Sequence, residues 1–204
     1  MSKKVVIVGA GGHAKVIADI VLCSGDDLIG FLDDNELKQK KIVYKNYEVI
    51  GKISDYLKYK DYSFIVAIGD NYRRAKISKE LKVNWYTAIH PNAVVADTVK
   101  VGVGTVIMAG VIINPDTIIG EHCIINTGAT VDHDNVISNF VHISPGAHLA
   151  GSVKIGECSW VGAGAVVVNN INIGKKITLG AGGVAIKSLL ENNNTYIGIP
   201  AKKR

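Results

Sequence analysis

The sequence predicts an N-terminal α/β unit joined to a parallel β-helix of six-residue repeats. Three observations carry this reading. An aliphatic residue recurs at every sixth position through the second half, the first half opens with a strand, a Gly-rich turn and an amphipathic pattern, and charge is concentrated outside the repeat. The 204 residues are 48% hydrophobic, only 6% aromatic and include 22 glycines. That much aliphatic content is incompatible with a disordered chain, and the absence of a Gly-x-y period excludes collagen. No apolar run approaches the roughly 20 residues that cross a bilayer, so no membrane insertion is expected. The apolar segment after Met1-Ser2-Lys3-Lys4 is too short for a signal peptide. Cys23, Cys123 and Cys158 are odd in number and lack CxxC spacing. They point to a reducing compartment without a disulfide framework, and the protein is expected to be cytoplasmic.

Residues 4–8 (Lys-Val-Val-Ile-Val) read as a buried strand, followed by the turn Gly9-Ala10-Gly11-Gly12-His13-Ala14. An amphipathic helix comes next, with Val16, Ile17, Ile20 and Val21 on one face, and a second strand from Leu28 to Leu32 ends in Asp33-Asp34. This is one Rossmann-like βαβ half, whose turn lets a phosphate approach the backbone and the helix N-terminus. Gly9-x-Gly11-x-x-Ala14 meets the dinucleotide pattern, and the acidic pair stands where a ribose-binding residue would. A full dinucleotide fold needs two such halves, whereas 88 residues precede the repeat, so a single nucleotide or a nucleotide sugar fits better. A third strand, Ser63 to Ile68, ends in Gly69-Asp70-Asn71. A helix over Tyr72–Lys82 then follows, capped by Asp70 or Asn71, with Arg73, Arg74 and Lys76 on a solvated face.

From Ile89 to Leu179, every sixth residue is Val, Ile or Leu, sixteen positions in all. The position four further on is mostly small or β-branched, as at Thr105, Thr117, Cys123, Ala129, Ala147, Ser159 and Ala165. The residue after the aliphatic is Gly at 102, 120, 156, 162, 174 and 180 and Asn at 114 and 126, which reads as a corner residue with backbone freedom. Three short strands and three corners per coil stack the aliphatics inside a prism. The domain reading is therefore 1–88 for the α/β unit, 89–184 for the β-helix and 185–204 for a C-terminal extension.

Residues 1–88 carry 15 basic and 11 acidic side chains, residues 89–184 carry 4 and 6, and residues 185–204 carry 4 and 1. The net charge of +5 thus belongs to the two ends, and without a continuous basic face no nucleic-acid partner is expected. His133, between Asp132 and Asp134, lies two residues past an inward aliphatic and hence outside, near a corner, in the least charged part of the chain. A carboxylate beside an imidazole fixes its tautomer and raises its basicity, as a general base requires. His133, His142 and His148 fall on successive hexads and different faces, so they do not converge as zinc ligands must, and no metal is expected. Cys123 holds an inward position and reads as packing.

In order, the chain presents Gly-Ala-Gly-Gly-His-Ala, Phe-Leu-Asp-Asp, Ala-Ile-Gly-Asp-Asn, the hexapeptide body, Asp-His-Asp, Val-His-Ile-Ser-Pro-Gly and Gly-Ile-Pro-Ala-Lys. This order resembles the bacterial sugar O/N-acetyltransferases with a left-handed β-helix. In outline it is most similar to the UDP-4-amino-sugar N-acetyltransferases of bacillosamine synthesis, with perosamine N-acetyltransferases and sialic acid O-acetyltransferases as siblings. The resemblance implies a left-handed helix, a homotrimer, and acetyl-CoA bound in clefts between neighbouring prisms. It implies His133 as general base and Asp134 as the carboxylate that polarises it, with Asp132 as the alternative. Carried across likewise, His142, Ala163 and Ala181 contact acetyl-CoA, and the Gly151 N–H faces the thioester oxygen. Gly12, His13, Ala14, Asp33, Asp34 and Gly69 correspond to nucleotide-sugar contacts. Lys175, Lys176, Lys187, Lys202, Lys203 and Arg204 either meet CoA phosphates or are solvated. The implied activity is acetyl-CoA-dependent N-acetylation of a UDP- or dTDP-linked 4-amino-4,6-dideoxy sugar. The alternatives are O-acetylation of sialic acid or a related sugar, and a non-catalytic nucleotide-binding scaffold.

Overall fold

The computed structural model describes residues 2–204, which divide into two units between Pro91 and Asn92. The first holds β1 (Lys4–Val8), α1 (Gly12–Cys23), β2 (Asp27–Leu32), β3 (Ile42–Tyr44), β4 (Tyr47–Gly51), β5 (Ser63–Val66), α2 (Asn71–Glu80) and β6 (Asn84–Trp85). They form one sheet in the order β3-β4-β2-β1-β5-β6, parallel except for β3 against β4. Residues 5–8 of the central strand are inaccessible to solvent, as a parallel strand buried on both faces must be. Since β2 and β5 flank β1 on opposite sides, the strand order reverses at the C-terminal end of β1, where open α/β sheets bind ligands.

Two expectations are corrected here. Ile17, Ile20 and Val21 are buried as expected, together with Ala14 and Ala18, whereas Val16 is 40% exposed. Arg74 is not on a solvated face: it is 1% exposed, and its guanidinium donates to Ile68 O, Gly69 O and Asn71 Oδ1. A buried cation persists only when its donors are met in this way. It fixes the chain between β5 and α2, whose N-cap is Asp70, accepting from Arg73 N at 2.7 Å. The β3–β4 hairpin and β6 carried no sequence expectation. The hairpin turns on Lys45-Asn46, with Lys45 at φ 49°, without the Asn-Gly pair that marks such turns.

In the second unit each two-residue strand from Val94–Val95 to Val166–Val167 pairs in parallel with the strand eighteen residues on. Ile112–Ile113 thus meets Thr130–Val131, then His148–Leu149, then Val166–Val167. Three such columns make three sheets, so six residues form one side of a coil. The aliphatic at every sixth position is buried from Ile107 to Leu179. Val95 and Val101, with a coil stacked on one side only, are half-buried, and Ile89 is 38% exposed. Inward polar side chains at the second buried register bond the backbone of the next coil: Thr117 Oγ1 donates to Asp132 O and Ser159 Oγ to Gly174 O.

The corner residue is not the glycine after the aliphatic. A left-handed residue recurs every six positions two places later, at Asp116, His122, Asp134, Phe140, Ser152, Cys158, Asn170 and Lys176, with glycines in between. The glycines after the aliphatics serve close approach instead: a Cβ on Gly102 would lie 2.5 Å from Gly120 C, and one on Gly156 would lie 2.6 Å from Gly174 C. Residues 185–204 supply the last pairings of the stack. Ala185 pairs with Val167, Leu189 bridges Ile173, Thr195–Ile197 lies on Thr178–Leu179, and Lys202–Lys203 closes that edge in antiparallel fashion. No described helix is long and apolar enough to cross a membrane.

Candidate functional site

At the C-terminal end of β1 lies a cavity of about 390 Å³, lined by the Gly9–Gly11 turn, Asp33 to Asn35, Lys38, Ile53, Ala67, Ile68 and Arg73. Gly9, at φ 105°, turns the chain where a Cβ would sit 3.0 Å from Ala67 O. Around Gly11, Gly12 and Gly69, by contrast, a Cβ would meet nothing within 4 Å. Asp33 accepts from Ala10 N at 2.8 Å, Asn35 N at 2.9 Å and Lys38 Nζ at 3.2 Å. Burial pushes its pKa up, but the bonds from Asn35, Lys38 and Ala10 outweigh it and hold the carboxyl below its ordinary value. Asp34 Oδ1 accepts from Ile53 N. His13 is half-buried in the first turn of α1. Its enclosed Nε2 has no hydrogen-bond partner, and burial followed by the nearby Arg74 charge lowers its pKa to about 4, so the ring is neutral. Ala14 is fully buried and its amide donates to Gly11 O.

In the second unit His133 projects from a corner with its side chain 57% exposed. Its Nδ1 donates to Asp134 Oδ2 at 2.7 Å, so the accepting nitrogen is Nε2. Asp134 reaches the ring because it occupies the left-handed corner position, at φ 58°. Asp132 points elsewhere: its Oδ1 accepts from Asn114 Nδ2 and His133 N, which lowers its pKa. The hydrogen bond to Asp134, then the charge of Asp132, raises the pKa of His133. Beneath the corner, the fully buried Asn135 donates to Asp132 O and Ala150 O and accepts from Val153 N, fixing the backbone that carries His133. The imidazole lies over Gly151, one coil on, where a Cβ would sit 2.7 Å from His133 Cε1.

His142 lies on another face, stacked on Trp160 with ring centroids 5.7 Å apart. Asn126 Oδ1 accepts from Thr127 N, which leaves its Nδ2 to donate to His142 Nε2 at 3.1 Å. Trp160 Nε1 donates to Ser144 Oγ. Ala163 and Ala181 are exposed and one coil apart, on the corner that follows this face. His133 and Gly151 occupy the next corner, beyond the face bearing His148. One prism therefore places the expected base, with Gly151, on one edge and the expected coenzyme contacts His142, Ala163 and Ala181 on another. His148 Nδ1 pairs with Thr130 Oγ1, so the three clustered histidines each have their own partner.

A family model described as the PglD N-terminal domain matches residues 4–81. A mutant of GDP-perosamine N-acetyl transferase from Caulobacter crescentus, in complex with CoA and GDP-perosamine, aligns with a TM-score of 0.92 and 37% identity, covering 98% of this chain and 96% of that one. The chain belongs to the sugar N-acetyltransferases of the hexapeptide-repeat, left-handed β-helix family. Across that family match, the acetyltransferase domain of PglB from Neisseria gonorrhoeae FA1090, in complex with acetyl coenzyme A, aligns over all of both chains with a TM-score of 0.93 and 34% identity. UDP-N-acetylbacillosamine N-acetyltransferase of Bacillus subtilis (strain 168) is 40% identical over 99 residues, 46% of this chain and 46% of its own length. An uncharacterized protein of Acanthamoeba polyphaga mimivirus is 38% identical over 100 residues, 48% of this chain and 20% of its own. The chain thus spans less than half the length of the curated relatives it matches.

Several groups around the family's site escape sequence reading. Arg73 enters the N-terminal cavity from a helix face that reads as solvated, and Lys38 enters it from a segment without a sequence expectation. The Asp-Asp-Asn-Glu-Leu-Lys run carries the one available signal, since Asn35 caps a short turn that returns Lys38 to Asp33. Asn135 is the one amide at an inward register otherwise filled by apolar residues, Gly, Ser and Thr, an anomaly visible in the repeat. The Trp160–Ser144 contact has no sequence signal, because it joins residues brought together only by coil stacking.

Proposed function

We propose that the protein is an acetyl-CoA-dependent N-acetyltransferase acting on the amino group of a nucleotide-linked 4-amino-4,6-dideoxy sugar, with His133 as general base. The observation that carries the reading is the His133 corner. A carboxylate orients one ring nitrogen at 2.7 Å, the opposite nitrogen is an acceptor, and a glycine beneath makes room for the ring. The sugar amine attacks the thioester carbon, and a C–N bond forms as the C–S bond breaks. His133 Nε2 takes the amine proton, the Gly151 N–H stabilises the developing oxyanion, and the proton passes to the departing CoA thiolate. Holding both substrates in one cleft supplies proximity.

The two-edge arrangement supports a homotrimer. A neighbouring prism would bring His142, Ala163 and Ala181 to the cleft that holds another chain's His133. The nucleotide is assigned to the cavity at the end of β1, with its phosphates over Gly11 and Gly12 and its ribose near Asp33, Asp34 and Gly69. Neutral His13 offers an uncharged contact to the sugar. Both substrates are charged metabolites that do not cross a bilayer unaided, so a cytoplasmic location belongs to the same proposal.

Arg73 and Lys38 are the cations lining that cavity. Replacing Arg73 with Ala is expected to raise KM for the nucleotide sugar about tenfold, as loss of one charge-assisted phosphate contact would, with KM for acetyl-CoA unchanged. Steady-state kinetics in each substrate check this, and equal effects on both constants contradict it. The function itself is tested by CoA thiol release across UDP-, dTDP- and GDP-linked 4-amino sugars, free sialic acid and free amino sugars. Release with nucleotide-linked amines alone is the expected result. Release with sialic acid alone, or none with any acceptor, overturns the proposal.

A further inference from the structure

We propose that Asp19, Cys23 and His90 form a zinc site in the N-terminal unit, separate from the acetyl-transfer machinery. One ligand atom from each side chain lies within 4.8 Å of the other two. Asp19 and Cys23 are four apart on the last two turns of α1, the spacing at which helical side chains project from one face toward one ion. His90 comes from a segment distant in sequence. Ser24 Oγ lies 3.4 Å from Ile89 O, which sets that segment against the end of α1.

The donor set selects the metal. A thiolate with an imidazole and a carboxylate is a borderline-soft mixture that favours Zn²⁺ over the oxygen-seeking Mg²⁺ and Ca²⁺. Ligand atoms around tetrahedral zinc stand roughly 3.3–3.8 Å apart, given bonds of about 2.0–2.3 Å, so small rotamer changes close the present spacing. Three protein ligands leave the fourth position to water. The carboxylate is already steadied from outside: Tyr44 OH donates to Asp19 Oδ1, an outer-shell contact of the kind that orients metal ligands. Asp19 and His90 are half-buried and Cys23 is exposed, so an ion could enter from solvent. Cys123 and Cys158 are buried, which leaves Cys23 as the cysteine open to a metal. On binding, the Cys23 thiol loses its proton to solvent and the Zn–S bond replaces a Zn–water bond.

The test uses the full-length chain, stripped of metal by chelator and titrated with Co²⁺. One equivalent should produce a near-ultraviolet thiolate-to-cobalt band together with visible ligand-field bands, both abolished by one equivalent of Zn²⁺. Cys23→Ser should remove the near-ultraviolet band, and Asp19→Asn and His90→Gln should each weaken Zn²⁺ binding at least tenfold. His133→Ala should leave the cobalt spectrum unchanged. Absence of the thiolate band in the unmodified protein, or its persistence in Cys23→Ser, overturns the proposal. Chelation that leaves acetyl transfer intact is consistent with it, because no transfer step uses these residues.

Discussion

Replacing His133 with Ala is expected to lower kcat at least about a hundredfold, the usual scale for loss of a positioned general base, while the Kd for acetyl-CoA stays the same. The ring is exposed and bonds its own neighbour, so the loss should fall on chemistry rather than on folding. Its pH dependence follows from the charge environment. The hydrogen bond to Asp134, then the charge of Asp132, raises the His133 pKa above its ordinary 6.5. A general base works unprotonated, so with His133 in that role kcat/KM should rise with pH through the raised value. Asp134→Asn removes the leading cause, so the acidic limb should move to lower pH as kcat falls. A limb that stays in place would show that Asp134 does not govern the base. For stability the sign is opposite. A raised histidine pKa stabilises the fold in full below 6.5, and that contribution is lost as pH rises through the folded value. Asp134→Asn should therefore lower Tm at acid pH and not at pH 9, and only slightly, given the exposure of the pair.

Gly151→Ala is the second large effect. One methyl group on Gly151 would stand 2.7 Å from His133 Cε1 and 2.8 Å from Nε2, so the imidazole must leave its place. Gly151 is not in the left-handed backbone region, so alanine itself fits the chain. Displacing a catalytic group by about 1 Å costs on the order of 10² in rate, and kcat should fall by about that factor with Tm nearly unchanged. Single-turnover kinetics with circular-dichroism melting would check both halves. Full activity in Gly151→Ala would mean that the ring does not work from its position over this glycine.

The architecture of the second unit was legible because a six-residue period is a property of the chain alone: whatever the corner residues are, the inward aliphatics must recur. What places the corners was not legible. Asp116, Phe140, Cys158 and Lys176 share one left-handed backbone state with no common side-chain chemistry, so coil stacking selects it rather than local preference. Stacking also explains the glycines after the aliphatics, whose missing Cβ faces the next coil and is invisible in a linear pattern. In the first unit, β1, α1 and β2 follow from periodicity, but the hairpin at Lys45-Asn46 lacks the Asn-Gly pair that marks such turns. Arg74 looks like any surface arginine until Ile68 O and Gly69 O are seen around it. The candidate base was visible as a histidine between two carboxylates. Which carboxylate touches the ring depends on Asp134 taking the corner while Asp132 is drawn to Asn114 on the preceding coil, eighteen residues away in sequence.

An N-acetyltransferase of nucleotide-linked sugars makes an amide, and an O-acetyltransferase makes an ester. The direct measurement is the mass of the nucleotide sugar after incubation with acetyl-CoA, followed by hydroxylamine treatment. The expected result is a gain of one acetyl group that survives hydroxylamine, as an amide does, and that disappears with His133→Ala. An acetyl group released by hydroxylamine, as an ester would be, or an unchanged mass with every nucleotide-linked amine offered, would contradict it.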